Sequence, residues 1–263
     1  MIPRHAILDW QKVTPWPSYS QIEQDLLLSR ALIELYSNDI IVNHLAFRGG
    51  TALHKLYIRN PVRYSEDLDF VQIKPGPIGP IIDAIRSTLG DLFPQSKWKQ
   101  SEGRVTLVYK YEAEIPPPET MKIKVEINTR EHFSVLGTQS VPFEVKSPWF
   151  TGSAQISTYK LEELLATKLR ALYQRRKGRD LFDVFYALQY NEHLQIQHII
   201  QCFHQYLENE GLRVTSKMFE ENMRIKINDP LFRGDMKNLL ISDYHYDIDE
   251  AYQMITEKII KHL

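Results

Sequence analysis

The chain carries one cysteine, Cys202, in 263 residues. A single thiol excludes an internal disulfide and suits a reducing compartment, where its ordinary role is that of a small buried apolar side chain. Long apolar runs are missing too: no stretch approaches ~18 uninterrupted apolar residues, so no helix spanning a bilayer is expected. The opening MIPRHAILDWQKVTPWPS lacks a long apolar core, because Asp9, Lys12 and three prolines interrupt it, and it does not read as a signal peptide. The formal net charge of -1 supplies no global basic field, so any nucleic-acid contact must come from a local patch. Internal repeats and low-complexity tracts are absent. A cytoplasmic protein without membrane segments is the expectation.

What is present is ordinary in bulk and unusual in one place. Hydrophobic content of 43% and charged content of 25% fit a globular protein long enough for one large domain or two modest ones. The unusual stretch is GGTALHKLYIRNPVRYSEDLDF, residues 49 to 70. Gly49 and Gly50 precede Thr51 and a short helical pattern carrying Leu53, Leu56 and Tyr57, so free backbone N–H groups at a helix start can face an anion. In Asp67-Leu68-Asp69-Phe70, period-2 geometry sets both carboxylates on one face of a strand and both apolar side chains on the other. Two like charges roughly 6.6 Å apart along a strand repel by about 2 to 3 kcal/mol at an effective dielectric near 20, which calls for a cation between them. Oxygen-liganded Mg²⁺ suits that position. A glycine turn, a helix and then an acidic strand is the arrangement by which polymerase-beta-type nucleotidyltransferases hold a triphosphate on metal ions.

Around this stretch, Ser20 with Glu23 has the spacing of a capping box, opening a helix that runs to about residue 38. A break at Lys74-Pro75-Gly76-Pro77 precedes a helix from Ile78 to Leu89. Residues 103 to 115 and 121 to 128 read as strands joined through Pro116-Pro117-Pro118. From Ser157 onward the period becomes helical, with helices expected at about 158–174, 180–190, 194–209, 215–225 and 248–262. The Pro- and Gly-containing segment from Ser147 to Ser153 is the expected boundary. It divides an α/β lobe at 1–150 from a helical lobe at 151–263, with ligands expected in the cleft between them.

Three further positions stand out. Glu126 shares a strand face with Lys122, Lys124 and Asn128; beside Asp67 and Asp69 it would be a third metal ligand, and otherwise a charge neutralised by its lysine neighbours. Lys168 falls on or beside the apolar stripe of Leu161, Leu164, Leu165, Leu169 and Leu172, where it either snorkels to water or reaches a phosphate, the reading favoured here. Asp180 suits a helix N-cap or first turn, with Arg179 as a salt-bridge partner, while Asp183, one turn deeper beside Val184 and Phe185, suits a cleft-facing role. The basic run from Arg175 to Arg179 either contacts nucleic-acid phosphates or solvates a loop.

The pattern GGTALHKL, RYSEDLDF, KVEIN, then KLRAL and GRDLFD resembles the AbiEii/AbiGii toxin family of nucleotidyltransferases, with its mycobacterial MenT members, over roughly residues 20 to 190. The resemblance implies an α/β (α+β) fold, a polymerase-beta-like nucleotidyltransferase core with a C-terminal helical lobe, and the toxin of a type IV toxin–antitoxin pair whose antitoxin is encoded nearby. It implies Mg²⁺, or Mn²⁺ in its place, an NTP as substrate and transfer of NMP to an RNA acceptor, the 3′ end of tRNA in several members, which blocks translation. By position it assigns Gly49, Gly50 and Thr51 to the glycine turn, Asp67 and Asp69 to metal-binding acids, Lys168 to an essential lysine and Asp183 to a late essential acid. Ser65 matches a hydroxyl beside the nucleotide that some family antitoxins phosphorylate. The Thr51 to Asp67 spacing is longer than usual, with Arg59-Asn60-Pro61 as the insertion. The alternatives are a small-molecule or protein hydroxyl as acceptor, or a catalytically silent NTP-binding module.

Overall fold

The computed structural model describes residues 2–58, 60–117 and 119–263. Arg59 of the expected insertion and Pro118 of the triple-proline connection lie outside the described residues. The chain forms two compact units, Met1–Phe133 with Thr138–Tyr159, and Ser134–Gly137 with Lys160–Leu263.

The first unit runs α1 (Arg4–Trp10), α2 (Tyr19–Leu35), α3 (Asp39–His44), β1 (Leu45–Arg48), α4 (Gly49–Leu56), β2 (Asp67–Gln72) and α5 (Gly79–Leu89). Strands β3 (Ser96–Ser101), β4 (Arg104–Glu112), β5 (Thr120–Asn128), β6 (Thr138–Lys146) and β7 (Thr151–Tyr159) complete it. Together they form one mixed sheet in the order β3-β4-β5-β2-β1-β7-β6. Strand β2 pairs antiparallel with β1 and parallel with β5, which places the acidic strand near the middle of the sheet. Alternation then sorts its side chains. Leu68 and Phe70 are buried, as are Ile123, Val125 and Ile127 on β5 and Val105 and Leu107 on β4. Phe70 meets Phe47 and Tyr36 at ring separations of 5.3 and 6.2 Å, and the Tyr36 hydroxyl lies 3.2 Å from the Leu45 carbonyl oxygen and 2.9 Å from that of Ser157. That hydroxyl ties β1 to β7 from the helix side.

The capping box of α2 is Ser18 with Gln21, not Ser20 with Glu23: Ser18 Oγ accepts from the Gln21 N–H at 3.2 Å and Gln21 Oε1 from the Ser18 N–H at 3.3 Å. Glu23 is buried, and its carboxylate accepts the Glu114 N–H at 2.9 Å instead. The stretch expected as a domain boundary, Ser147 to Ser153, holds the turn of the β6–β7 hairpin. There Ser147 Oγ accepts from the Phe150 N–H at 3.0 Å, and β6 and β7 pair antiparallel on either side. The compact units divide after Tyr159, and β7 occupies the residues where the first helix of the second lobe was expected to begin.

The second unit is helical: α6 (Leu161–Gln174), α7 (Gly178–Tyr190), α8 (Ile196–Glu208), α9 (Ser216–Ile227), α10 (Pro230–Gly234), α11 (Ile248–Lys258) and a closing 3-10 turn at Ile260–His262. Cys202 is fully buried here, and burial pushes its thiol up to about 12. Buried Lys226 donates to the Leu172 and Tyr173 carbonyl oxygens, satisfying the otherwise orphaned C-terminus of α6. Glu163, fully buried, accepts from the Val135 and Leu136 N–H groups at 2.8 and 2.9 Å, from the Ser134 hydroxyl at 2.8 Å and from the Tyr206 hydroxyl at 2.8 Å. No helix among the described residues is long and apolar enough to cross a membrane.

Glu163→Ala strips these donors of their acceptor at once. It is expected to destabilise the protein by about 3 to 5 kcal/mol in urea unfolding followed by circular dichroism, and a loss below about 1 kcal/mol would show that the carboxylate does not hold the 134–136 segment.

Candidate active site

Strand β1 ends at Arg48, opposite Asp69 in the register of β2, and the chain turns at once into α4. Gly49 makes that turn with φ +80, in the left-handed region that glycine adopts without a Cβ penalty. Space imposes the same choice, since a Cβ on Gly49 would stand 2.2 Å from Asp69 Oδ2. A Cβ on Gly50 would stand 2.4 Å from Arg63 Nη2 and 3.2 Å from Ser65 Oγ. The glycine pair thus lets backbone come directly against a carboxylate on one side and a guanidinium on the other. Helix α4 has no side-chain cap, so its first-turn N–H groups are open to an anion.

Thr51 joins this turn to the acidic strand. Its Oγ1 donates to the Asp67 carbonyl oxygen at 2.5 Å and lies 2.8 Å from Ser65 Oγ. Gly49, Gly50, Thr51, Ser65, Asp67 and Asp69, separated by up to about 20 residues in sequence, are therefore one cluster within the first unit.

The parallel pairing of β2 with β5 sets Asp67 opposite Lys124 and Asp69 opposite Glu126. Lys124 Nζ lies 3.4 Å from Asp67 Oδ2, so this lysine serves Asp67, while Glu126 is served by Arg104 at 3.5 Å. Asp67 Oδ1 is buried with no hydrogen-bond partner among the described residues. Burial, with Asp69, Glu66 and Glu126 adding to it and Lys124 opposing it, raises the Asp67 carboxyl to about 6. An orphaned carboxylate oxygen beside a second carboxylate on the same strand face suits a hard, oxygen-preferring divalent cation. No group of three or more His, Cys, Asp or Glu side chains among the described residues is arranged to hold a metal ion. Asp67 and Asp69 thus fit a cation bound by two carboxylates and completed by substrate oxygens and water, a common way of holding Mg²⁺. Glu126 is placed beside them and turned to Arg104.

In the second unit Lys168 is buried rather than snorkelling. Its Nζ lies 2.7 Å from Asp183 Oδ2 and 3.3 Å from Asp180 Oδ1. Asp180 also takes a two-point grip from Arg175, at 2.7 Å from Nε and 2.9 Å from Nη2. Burial alone would raise Asp180, and Lys168 with Arg175 outweighs it, holding the carboxyl below its ordinary value. The expected partner Arg179 is engaged by Asp235, which accepts its backbone N–H at 3.0 Å. Sequence reasoning missed Arg175 as a cluster member and also missed Arg63, which is buried and donates to the Tyr64 carbonyl oxygen at 2.9 Å. A basic residue two before Ser65 was the available signal for Arg63.

A model of the family described as nucleotidyl transferase AbiEii toxin, type IV toxin–antitoxin system, matches residues 30–254. The chain belongs to that family. The AbiEii match spans both the glycine–aspartate cluster and the Lys168 cluster. Among solved structures, a protein from H. pylori described as a nucleotidyltransferase aligns with 93% of this chain and 96% of its own at TM-score 0.56 and 18% identity. MenT4, a nucleotidyltransferase toxin from Mycobacterium tuberculosis, aligns over 97% and 96% at TM-score 0.54 and 15% identity. At these identities the likeness is one of fold. No curated protein matches the sequence.

Asp67 makes the glycine–aspartate cluster costly to the fold. Its folded pKa of about 6 lies above the ordinary 3.8, so the fold favours the neutral acid and stability falls as pH rises from about 4 to about 6. In metal-free buffer at pH 7, Asp67→Asn is expected to stabilise the protein by roughly 1 to 2 kcal/mol, with the gain disappearing below about pH 4. Thermal unfolding across that range checks it; a variant less stable than the parent at pH 7 would show that the carboxylate is well compensated.

Proposed function

We propose that the protein is a metal-dependent nucleotidyltransferase toxin that moves NMP from an NTP to an RNA acceptor, the 3′ end of tRNA, and so blocks translation in the cytoplasm. The observation that carries this reading is the Asp67–Asp69 face pressed against the Gly49 turn, with a buried carboxylate oxygen left for a cation. The acceptor 3′-hydroxyl oxygen attacks the α-phosphorus, a new O–P bond forms as the bond to the β-phosphate oxygen breaks, pyrophosphate leaves and the hydroxyl proton is released. Bound Mg²⁺ would supply charge neutralisation of the reacting phosphate and a lower pKa for the attacking hydroxyl. Asp67 and Asp69 hold it; the first-turn N–H groups at Gly49, Gly50 and Thr51 bind phosphate oxygens and fix the nucleotide for in-line attack.

Lys168 is assigned to the phosphates as well. An ammonium has three N–H donors, and the two carboxylates at 2.7 and 3.3 Å leave one for a ligand while fixing its direction. Asp183 is then the residue that positions Lys168. Family membership brings an antitoxin, and Ser65 offers it a target. Its hydroxyl lies 2.8 Å from Thr51 Oγ1, so a phosphate there would set negative charge against the NTP phosphates at the start of α4.

Incubation with Mg²⁺, each labelled NTP and total cellular RNA is expected to label RNA of tRNA size. Asp67→Ala and Asp69→Ala should each lower the rate by at least about a hundredfold, and Lys168→Ala by a comparable factor. Absence of labelling with all four NTPs would reject transfer in favour of a silent NTP-binding module, while label in protein or small-molecule fractions would replace RNA as the acceptor.

A further inference from the structure

The strand face that carries Asp67 and Asp69 continues across β5, β4 and β3. Register sets Asp67 in line with Lys124, Val108 and Lys97, and Asp69 in line with Glu126, Thr106 and Lys99. One step along, Lys122 of β5 stands directly opposite Lys110 of β4. The Lys124–Asp67 and Arg104–Glu126 ion pairs confirm that these side chains share the face. On β3, β4 and β5 this face carries six cations, Lys97, Lys99, Arg104, Lys110, Lys122 and Lys124, against two carboxylates, Glu112 and Glu126, while Asp67 and Asp69 stand on β2.

Lys124 and Arg104 are used locally, by Asp67 and Glu126. Lys97, Lys99, Lys110 and Lys122 are exposed, and their ammonium groups have no ion-pair or hydrogen-bond partner among the described residues. Lysines on the edge strand β3 alone would have a simple purpose, since edge charges deter sheet-to-sheet association. That purpose does not reach β4 and β5, which are paired on both sides. There, Lys110 and Lys122 form a like-charge pair directly opposite across strands, an arrangement that weakens a sheet. In a chain of net charge -1, cations concentrated on one sheet face beside the reaction centre require a polyanion to make sense.

Resting on the transferase reading above, we propose that this outer face of β3, β4 and β5 binds the phosphodiester backbone of the RNA acceptor and guides its 3′ end to Asp67 and Asp69. Three strand spacings separate β2 from β3, about 14 Å, enough for roughly four phosphates at the 3.4 Å axial spacing of a stacked strand. Lysine ammonium groups contact phosphates without reading bases, so the face supplies affinity and direction, not sequence choice.

The test compares the triple variant Lys99→Gln/Lys110→Gln/Lys122→Gln with Lys217→Gln/Lys237→Gln/Lys258→Gln, which removes equal charge from the second unit. Binding of fluorescent tRNA is followed by anisotropy from about 50 to about 200 mM KCl, without NTP. The face triple is expected to lower affinity at least tenfold and to flatten the logarithmic salt slope by about 2, and in turnover to raise KM for RNA with KM for NTP unchanged. The control triple should shift neither slope nor KM appreciably. Equal effects of the two triples, or none from the first, overturn the proposal. If the parent labels no RNA yet binds tRNA with a slope that only the face triple flattens, the docking face stands and the acceptor assignment falls; if the parent labels RNA and the face triple changes neither binding nor KM, the reverse holds.

Discussion

The structure of the first unit turns on a carboxylate held where only a glycine lets backbone approach it. A Cβ at position 49 would stand 2.2 Å from Asp69 Oδ2, so the positive φ of Gly49, the immediate start of α4 after β1 and the pairing of Arg48 opposite Asp69 are one constraint seen from three sides. The compact turn packs helix N–H donors and strand carboxylates together. These have opposite electrostatic demands, which an anionic ligand carrying a cation would satisfy together. Without that ligand the carboxylates repel and Asp67 is left with an unmatched oxygen. The fold tolerates this because Leu68 and Phe70, on the opposite face of the same strand, are fully inside the core.

The two units treat buried charge in contrasting ways. Around Lys168 the balance is closed: one ammonium and one guanidinium face two carboxylates, and Asp180 stays ionised despite burial. Around Asp67 the balance is open: its Oδ1 has no hydrogen-bond partner among the described residues, Lys124 and Arg104 stand 3.4 and 3.5 Å from Asp67 and Glu126, and the Arg48 charge acts on Asp69. A closed cluster holds geometry; an open one binds cations. The difference sets a paired buried cluster in the helical unit against a strand face whose carboxylates are only partly compensated.

Much of this was legible in the sequence because it rests on short-range rules. Strand parity sorted Asp67 and Asp69 from Leu68 and Phe70, and the helical stripe exposed Lys168 as misplaced. What stayed hidden depends on partners distant in sequence. Arg175 looked like loop solvation and Arg179 like the partner of Asp180, because Arg179 is its immediate neighbour in sequence while Arg175 stands five residues away. Glu23 had the right spacing for a cap, yet a loop 91 residues away claimed it. Strands β6 and β7 were missed for a related reason. Their exposed positions are Thr, Gln, Ser, Pro, Glu and Lys, and only a few side chains, such as Val145, Ile156 and Tyr159, are buried, so the apolar alternation is too sparse to separate a sheet margin from a linker.

Net charge was the most misleading of the bulk quantities. A sum of -1 describes a surface without preference, but the register of four strands gathers acids on the middle of one face and free lysines toward its edge. Field strength near a site depends on such local sorting, because screening at physiological salt erases contributions from beyond about 8 Å. A cation at β2 would therefore feel the acids almost independently of the lysines on β3, three strand spacings away. One face can bind a metal at its centre and attract an anion at its margin, and a nucleotidyl transfer to a nucleic acid needs both.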